Sequence, residues 1–275
     1  MNITSKSKTR LEVLISTMNR DTLEFLDAMF IHNDKSEFQI LIINQTQDGK
    51  VLESDLPNIR IINCFEKGLS RSRNLAIENA LSSIVLISDD DVVFEKDFHK
   101  TILNAFNKKP DACLITFKAK NFNGLPYRNY PENNLDHNLK TIKGVISWEI
   151  SLNLNNLKSL NVKFDERFGL GSEFETAEEY LFSREVISKK GPSYFYDAFI
   201  VAHPNYNSGM DLGSDKIVYA RSALNYKLYG FKVYFWIPKY LFFLIRHRFI
   251  KWNELLEKCR ITFKAINDYI HPKYL

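Results

Sequence analysis

The chain has 275 residues, 45% of them apolar, enough for one large or two modest domains with a real core. Its formal net charge of +4 is mild and no RNA- or DNA-binding motif accompanies it, which excludes a dedicated nucleic-acid binder. Three widely spaced cysteines, a polar opening at Met1-Asn2-Ile3-Thr4-Ser5-Lys6 and the lack of an apolar run of about 18 residues point to a reduced, cytoplasmic location.

The apolar run at 11–17 predicts the first strand, followed by the loop Met18-Asn19-Arg20-Asp21 and a helix capped by Asp21 or Thr22 that runs to Phe30. Residues 38–44 predict a second strand ending at the turn-like Gln47-Asp48-Gly49, and 59–63 a third. A helix over 70–81 leads into a fourth strand that begins at Val85 and ends in the triple acid. Beyond it, 97–107 reads as a helix, 111–119 as a strand and 121–138 as a long Asn-, Gly- and Pro-containing loop of the kind that carries function in compact domains. Strands are expected at 145–152 and 194–202, with a helix at 178–189 stopped by Gly191-Pro192. Strands alternating with helices from the start imply an α/β fold with a mixed, mostly parallel sheet wrapped by helices.

The richest segment is Val85-Leu86-Ile87-Ser88-Asp89-Asp90-Asp91-Val92-Val93-Phe94. Its apolar residues suit a strand covered on both faces. Three carboxylates at the end of that strand repel one another and call for a cation. Mg²⁺ and similar ions take carboxylate oxygens and share their sites with substrate phosphates. Ligands of open α/β sheets also collect at the carboxyl ends of strands.

Four segments in this order resemble a GT-A-fold, family-2-type nucleotide-sugar glycosyltransferase: Ile15-Ser16-Thr17-Met18-Asn19-Arg20; Gly68-Leu69-Ser70-Arg71-Ser72-Arg73-Asn74-Leu75-Ala76; Ser88 to Asp91; and Phe164-Asp165-Glu166-Arg167-Phe168-Gly169-Leu170-Gly171 followed by Ala177-Glu178-Glu179-Tyr180 and Arg184. The resemblance implies a three-layer α/β/α sandwich and transfer of a sugar from a nucleoside diphosphate donor, UDP-linked, to a glycan or lipid-linked acceptor, with inversion. It implies that Asp91 binds Mn²⁺ or Mg²⁺ directly, that Asp89 reaches the ribose or the metal through water, that Asp90 assists, and that His203 completes the metal shell. Glu179 is the implied base. The family pattern there is Glu-Asp and this chain has Glu178-Glu179, so both remain candidates. Thr17, Asn19, Asn44 and Gln45 at strand ends are candidates to read the base and ribose, and Arg71 and Arg73 to meet the base, the diphosphate or the acids. Gly169-Leu170-Gly171 allows a close backbone approach near the acceptor, or a hinge. Trp148 reads equally as a sugar platform or a core residue.

Domains are expected at 1–228 and 229–275. The second is aromatic and basic, and its stretch 229–252 suits the headgroup layer of a membrane, which would make the protein peripheral on the cytoplasmic face. The triple acid also fits the first motif of haloacid-dehalogenase-type phosphatases. There, however, it lies on the first strand of the domain, and here several strands precede it. A non-catalytic sugar-binding scaffold is the remaining alternative.

Overall fold

The computed structural model describes residues 10–47, 49–204 and 211–272; the polar opening at residues 1–6 and Asp48 of the expected turn lie outside them. Two units divide the chain, the first made of the described residues of Met1–Lys67, Arg71–Asp165 and Glu179–Asn205, the second of Gly68–Ser70, Glu166–Glu178 and Tyr206–Leu275.

The first unit is built on a sheet. Its strands are β1 (Leu11–Met18), β2 (Gln39–Gln45), β3 (Ile59–Cys64), β4 (Ile84–Asp89), β5 (Val93–Phe94), β6 (Leu114–Asn121), β7 (Leu135–Asp136), β8 (Ile150–Asn153) and β9 (Ser193–His203). The order is β3-β2-β1-β4-β8-β6-β9-β5, with β7 on β9. β1 to β4 are mutually parallel, as are β6 and β9, while β8, β5 and β7 run against their neighbours. The parallel pairs carry most of the registered residues, so the sheet is mixed and mostly parallel.

The pleat sorts the side chains of β1. Val13 and Ile15 join Ile40, Ile42 and Leu86 in one apolar layer, and Leu14 joins Leu41, Ile43, Val85 and Ile87 in the other. The first layer is closed by α1 (Phe25–Met29) and α3 (Phe98–Lys108), with the rings of Phe30, Phe38, Phe94 and Phe98 stacked or edge-on within 4.4 to 6.0 Å. Ala76 of α2 (Leu69–Asn79) and Phe182 and Val186 of α5 (Glu178–Ser188) pack into the second. A short α4 (Leu154–Lys158) follows β8, its start capped by the Asn153 side chain. Both faces of the sheet are therefore covered, which explains why β1, β2 and β4 read as continuous apolar runs.

Two local expectations fail. The helix expected from Asp21 or Thr22 begins only at Phe25, with Glu24 at the N-cap and no side-chain cap bond. Residues 145–149 are not strand: Ser147–Glu149 form a 3₁₀ turn, because β8 finds its neighbours β4 and β6 only from Ile150 onward.

The second unit contains α6 (Asp215–Tyr229), α7 (Val233–Arg246) and α8 (Leu255–Ile270), packed on Val218, Val233, Ile237, Leu241, Leu244 and Ile266. α6 shares this core, so the helical unit begins on the N-terminal side of residue 229. Within the same unit Arg167 caps the end of α8: its Nη1 and Nη2 donate to the carbonyls of Tyr269 and Asp268 at 3.0 and 3.1 Å. Carbonyls in the last turn of a helix lack an intrahelical donor and carry the negative end of its dipole. Among the described residues no helix is long and apolar enough to cross a membrane.

Candidate active site at the carboxyl end of the sheet

Sheet order reverses between β1 and β4, which makes their carboxyl ends the switch point at which open α/β sheets bind ligands. Ser16 pairs with Asp89 in register, and the chain leaves both strands on the same side. The loop after β1 is thereby set against the triple acid.

Each of the three acids has its own partners. Asp89 accepts from the Arg73 guanidinium at 3.0 Å on one oxygen and from the Ser147 hydroxyl at 3.1 Å on the other. Asp90 accepts from the Thr17 hydroxyl at 2.5 Å and from Arg20 Nε at 2.8 Å. Asp91, the most exposed of the three, has His203 Nε2 at 3.4 Å. The other nitrogen of His203, Nδ1, donates to the Pro204 carbonyl at 2.7 Å, so a proton lost by this ring leaves from Nε2, the atom that faces Asp91. The hydrogen bond from His203 holds the Asp91 carboxyl below the usual carboxylate range against the opposing pull of burial. Burial pushes the His203 imidazole down, but the hydrogen bonds to Asp91 and Pro204 and the charges of Asp91 and Asp89 outweigh it, and the ring titrates above its ordinary value.

Behind His203 the Trp148 indole lies parallel at 3.9 Å, and the Tyr127 ring stands edge-on to both. Trp148 is buried, with one face given to His203, and its Nε1–H has no hydrogen-bond partner among the described residues. It is thus a core residue that borders the site.

The strand-end candidates separate by position. Thr17 touches the acids directly. Asn44 is fully buried and braces the loop, accepting from the Arg20 N–H at 3.2 Å and donating to the Arg20 carbonyl and to Asn63, each at 3.0 Å. Asn19 is exposed in a left-handed conformation (φ 55°), tied by its N–H to the carbonyl of the buried Gln45. Of the two arginines on α2, Arg73 is buried and meets Asp89, whereas Arg71 is exposed and pairs with Glu66 at 2.8 Å. Arg20 closes the first of the resembling segments but carries no role of its own in the sequence, and the sheet order is what brings it to Asp90.

A cation fits this set. Asp91, in the bend between β4 and β5, and His203 Nε2, at the end of β9, converge, and the second imidazole nitrogen is fixed by a carbonyl, the usual support of a ligating histidine. A carboxylate that shares the ion with phosphate oxygens and water is the ordinary pattern for Mg²⁺, and the imidazole adds a nitrogen donor to it. Both oxygens of Asp89 are already engaged, which suits contact through water or with a hydroxyl better than direct ligation. A separate trio, Glu37, Asp97 and His99, brings its ligand atoms within 4.8 Å, but Lys100 already supplies the cation there, 2.6 Å from Asp97 and 3.5 Å from Glu37. A groove of about 1100 Å³ in the first unit, lined by Arg10, Gln39, Glu78, Ser82 and Lys163 among others, lies at the amino ends of β1 and β2, away from these acids.

Glu178 and Glu179 open α5. Ala177 just before them has φ 70°, a conformation that costs a residue with a Cβ. Glu178 is buried, while Glu179 is half-buried. Within the second unit Gly169 lies against Glu178 and Ser70: at φ +105°, a Cβ on it would stand 3.2 Å from Glu178 Cδ and 3.0 Å from Ser70 Oγ. The close backbone approach expected of this glycine is thus made to a carboxylate side chain. Gly169→Ala is expected to lower unfolding free energy by about 1–3 kcal/mol through backbone strain and displacement of Glu178; an unchanged denaturant midpoint would contradict that account.

Residues 12–169 match the family model for glycosyl transferase family 2. No curated protein matches the chain in sequence. Among solved structures it is similar to S. aureus TarS 1–349 (TM-score 0.59, 16% identity, covering 95% of this chain and 81% of that one). It is also similar to TarS 1–349 in complex with UDP-GlcNAc (TM-score 0.57, 19% identity, 95% and 80% covered) and with UDP (TM-score 0.55, 17% identity, 95% and 82% covered).

Proposed function

The chain belongs to glycosyl transferase family 2, has the GT-A fold and is a nucleotide-sugar glycosyltransferase, and on that premise we propose that it transfers a sugar from a UDP-linked donor, with inversion, to a glycan or lipid-linked glycan acceptor in polysaccharide synthesis. The observation that carries this reading is the arrangement of Asp89, Asp90 and Asp91 at the switch point, each with a distinct partner set. UDP as the donor nucleotide is supported by the UDP-GlcNAc and UDP complexes of TarS. The phosphatase alternative loses its ground with the family match, and its acids would lie on the first strand where these lie on the fourth.

In this mechanism Asp91 and His203 would hold Mn²⁺ or Mg²⁺. When bound, the cation supplies Lewis-acid neutralisation of the departing diphosphate. Arg73 fixes Asp89 beside that position, and Asp89 would accept from a ribose hydroxyl or, through water, support the cation. Thr17 and Arg20 fix Asp90; Asn44 fixes the loop that presents Arg20 and Asn19 to the base. Glu179 accepts the proton of the acceptor hydroxyl as the new glycosidic bond forms. Glu178, buried beneath Gly169, keeps the start of α5 in place. Calorimetric titration with UDP tests the donor assignment. Binding in Mn²⁺ that disappears in EDTA is expected; no binding of UDP in either condition would overturn it.

We also place residues 229–252 on an anionic membrane surface, as a peripheral contact. This stretch has no acidic residue and five cations, Lys232, Lys239, Arg246, Arg248 and Lys251. α7 is apolar on two faces. Val233, Ile237, Leu241 and Leu244 are buried, and outward-facing Phe235 and Phe242 are 73% and 58% exposed beside Lys239 and Arg246. A second copy would set the same cations against these, so the face is not self-complementary. Lys239→Ala with Arg246→Ala should weaken binding to phosphatidylglycerol vesicles by about 2 kcal/mol, roughly 30-fold, in sedimentation. Equal binding to phosphatidylcholine vesicles, or none to either, would remove the assignment.

A further inference from the structure

Three consecutive residues of the 3₁₀ turn face three different ways, and each direction ends on a defined partner. Ser147 donates to Asp89, Trp148 stacks on His203, and Glu149 is completely buried. The Glu149 carboxylate accepts from Arg128 Nη2 at 2.7 Å, from Arg128 Nε at 3.2 Å and from the Tyr130 hydroxyl at 2.5 Å. Tyr130 is itself fixed, its oxygen accepting from the Ala119 N–H at 2.9 Å, and the Arg128 guanidinium lies 4.3 Å over its ring. Tyr127 of the same loop stands edge-on to Trp148 and His203. The irregular loop and the turn therefore interleave: Tyr127, Arg128 and Tyr130 from one side, Ser147, Trp148 and Glu149 from the other.

A bidentate guanidinium–carboxylate pair fixes direction as well as distance. Glu149 follows directly on the two residues that touch Asp89 and His203, and a turn of three residues cannot rotate at one position without moving the others. We infer that Glu149, clasped by Arg128 and Tyr130, is a positioning residue that sets Ser147 on Asp89 and the Trp148 ring on His203, and that this clasp fixes the geometry of the acid cluster. The inference rests on reading that cluster as the donor site only for its functional consequence. The geometric consequence stands by itself.

The test separates fold, geometry and binding. Glu149→Gln alone leaves the half-buried Arg128 charge without its counter-charge and is expected to lower the thermal midpoint. Arg128→Met with Glu149→Gln removes both charges and is expected to bring the midpoint back. Tyr130→Phe, which deletes one of the bonds and keeps the ring, serves as the mild variant. The geometric readout is the proton NMR signal of the His203 ring without nucleotide: stacking under an indole moves it upfield. In the double variant that upfield shift should collapse although the protein is folded, and Tyr130→Phe should show part of the loss. Affinity for UDP with Mn²⁺ should fall about 10- to 100-fold in the double variant, the usual cost of removing a support one step behind a metal ligand. A folded double variant, or a folded Tyr130→Phe if the double variant does not fold, that keeps the wild-type His203 shift overturns the clasp. Retained UDP affinity after the shift has collapsed overturns its functional role. A wild-type protein that binds no UDP overturns the donor reading while leaving the NMR outcome to decide the clasp.

Discussion

Glu179→Gln leaves UDP and Mn²⁺ binding at the wild-type level and lowers sugar transfer by about 10²- to 10⁴-fold, the usual contribution of a positioned general base. The substitution keeps the shape of the side chain and removes its ability to take a proton, so a loss confined to turnover isolates that role. Glu178→Gln is the matched control. Adjacent residues on a helix point about 100° apart, so one cleft does not receive both. Glu178 is buried against Gly169, and its replacement is expected to affect stability first. If Glu178→Gln is the variant that binds donor without transferring, and Glu179→Gln transfers normally, the base is Glu178.

Asp91→Asn has the second large effect. It leaves an oxygen of similar size opposite His203 Nε2 but removes the charge that a divalent cation needs. Metal neutralisation of a diphosphate contributes several kcal/mol, so UDP affinity in Mn²⁺ should fall on the order of 100-fold or more and should no longer respond to EDTA. Asp90→Asn should behave differently, because the Asp90 carboxylate is engaged by Thr17 and Arg20: its effect on UDP affinity should persist equally with and without metal. Wild-type affinity of Asp91→Asn for UDP in Mn²⁺ would remove the metal role from this residue.

The skeleton of this arrangement is legible in the sequence because it rests on local patterns. Continuous apolar runs mark β1, β2 and β4, and the abrupt change from Ile87 to Asp89 marks where the sheet ends. Arg73 and His203 stand at motif positions that resemblance alone supplies. What escapes is set by tertiary neighbours. Arg20 has no periodicity and acquires a partner only because β1 lies beside β4. The Ile146-Ser147-Trp148-Glu149 stretch reads as strand by composition, yet it turns, since a buried carboxylate there is satisfied by Arg128 and Tyr130 from a loop with no pattern of its own. Asn44 reads as a ligand-facing amide because nothing in the sequence shows that the Arg20 backbone and Asn63 use its donors and acceptor.

The pairing of Ser16 with Asp89 also limits how this protein can change length. In a strand every side chain alternates, so inserting or deleting one residue between Ile84 and Ser88 would send the acids to the opposite face of the sheet and bring an apolar neighbour into their place. The same holds for β1, where a one-residue slip would exchange Thr17 for Ser16 or Met18 beside Asp90. Tolerance to insertion should therefore be sharply uneven along the chain. The exposed turn at 122–124, beyond the Asn121–His203 pair and ahead of the Lys120–Pro126 bridge, can lengthen without altering strand register, whereas an insertion scan across 11–18 and 84–91 should return almost no active variants.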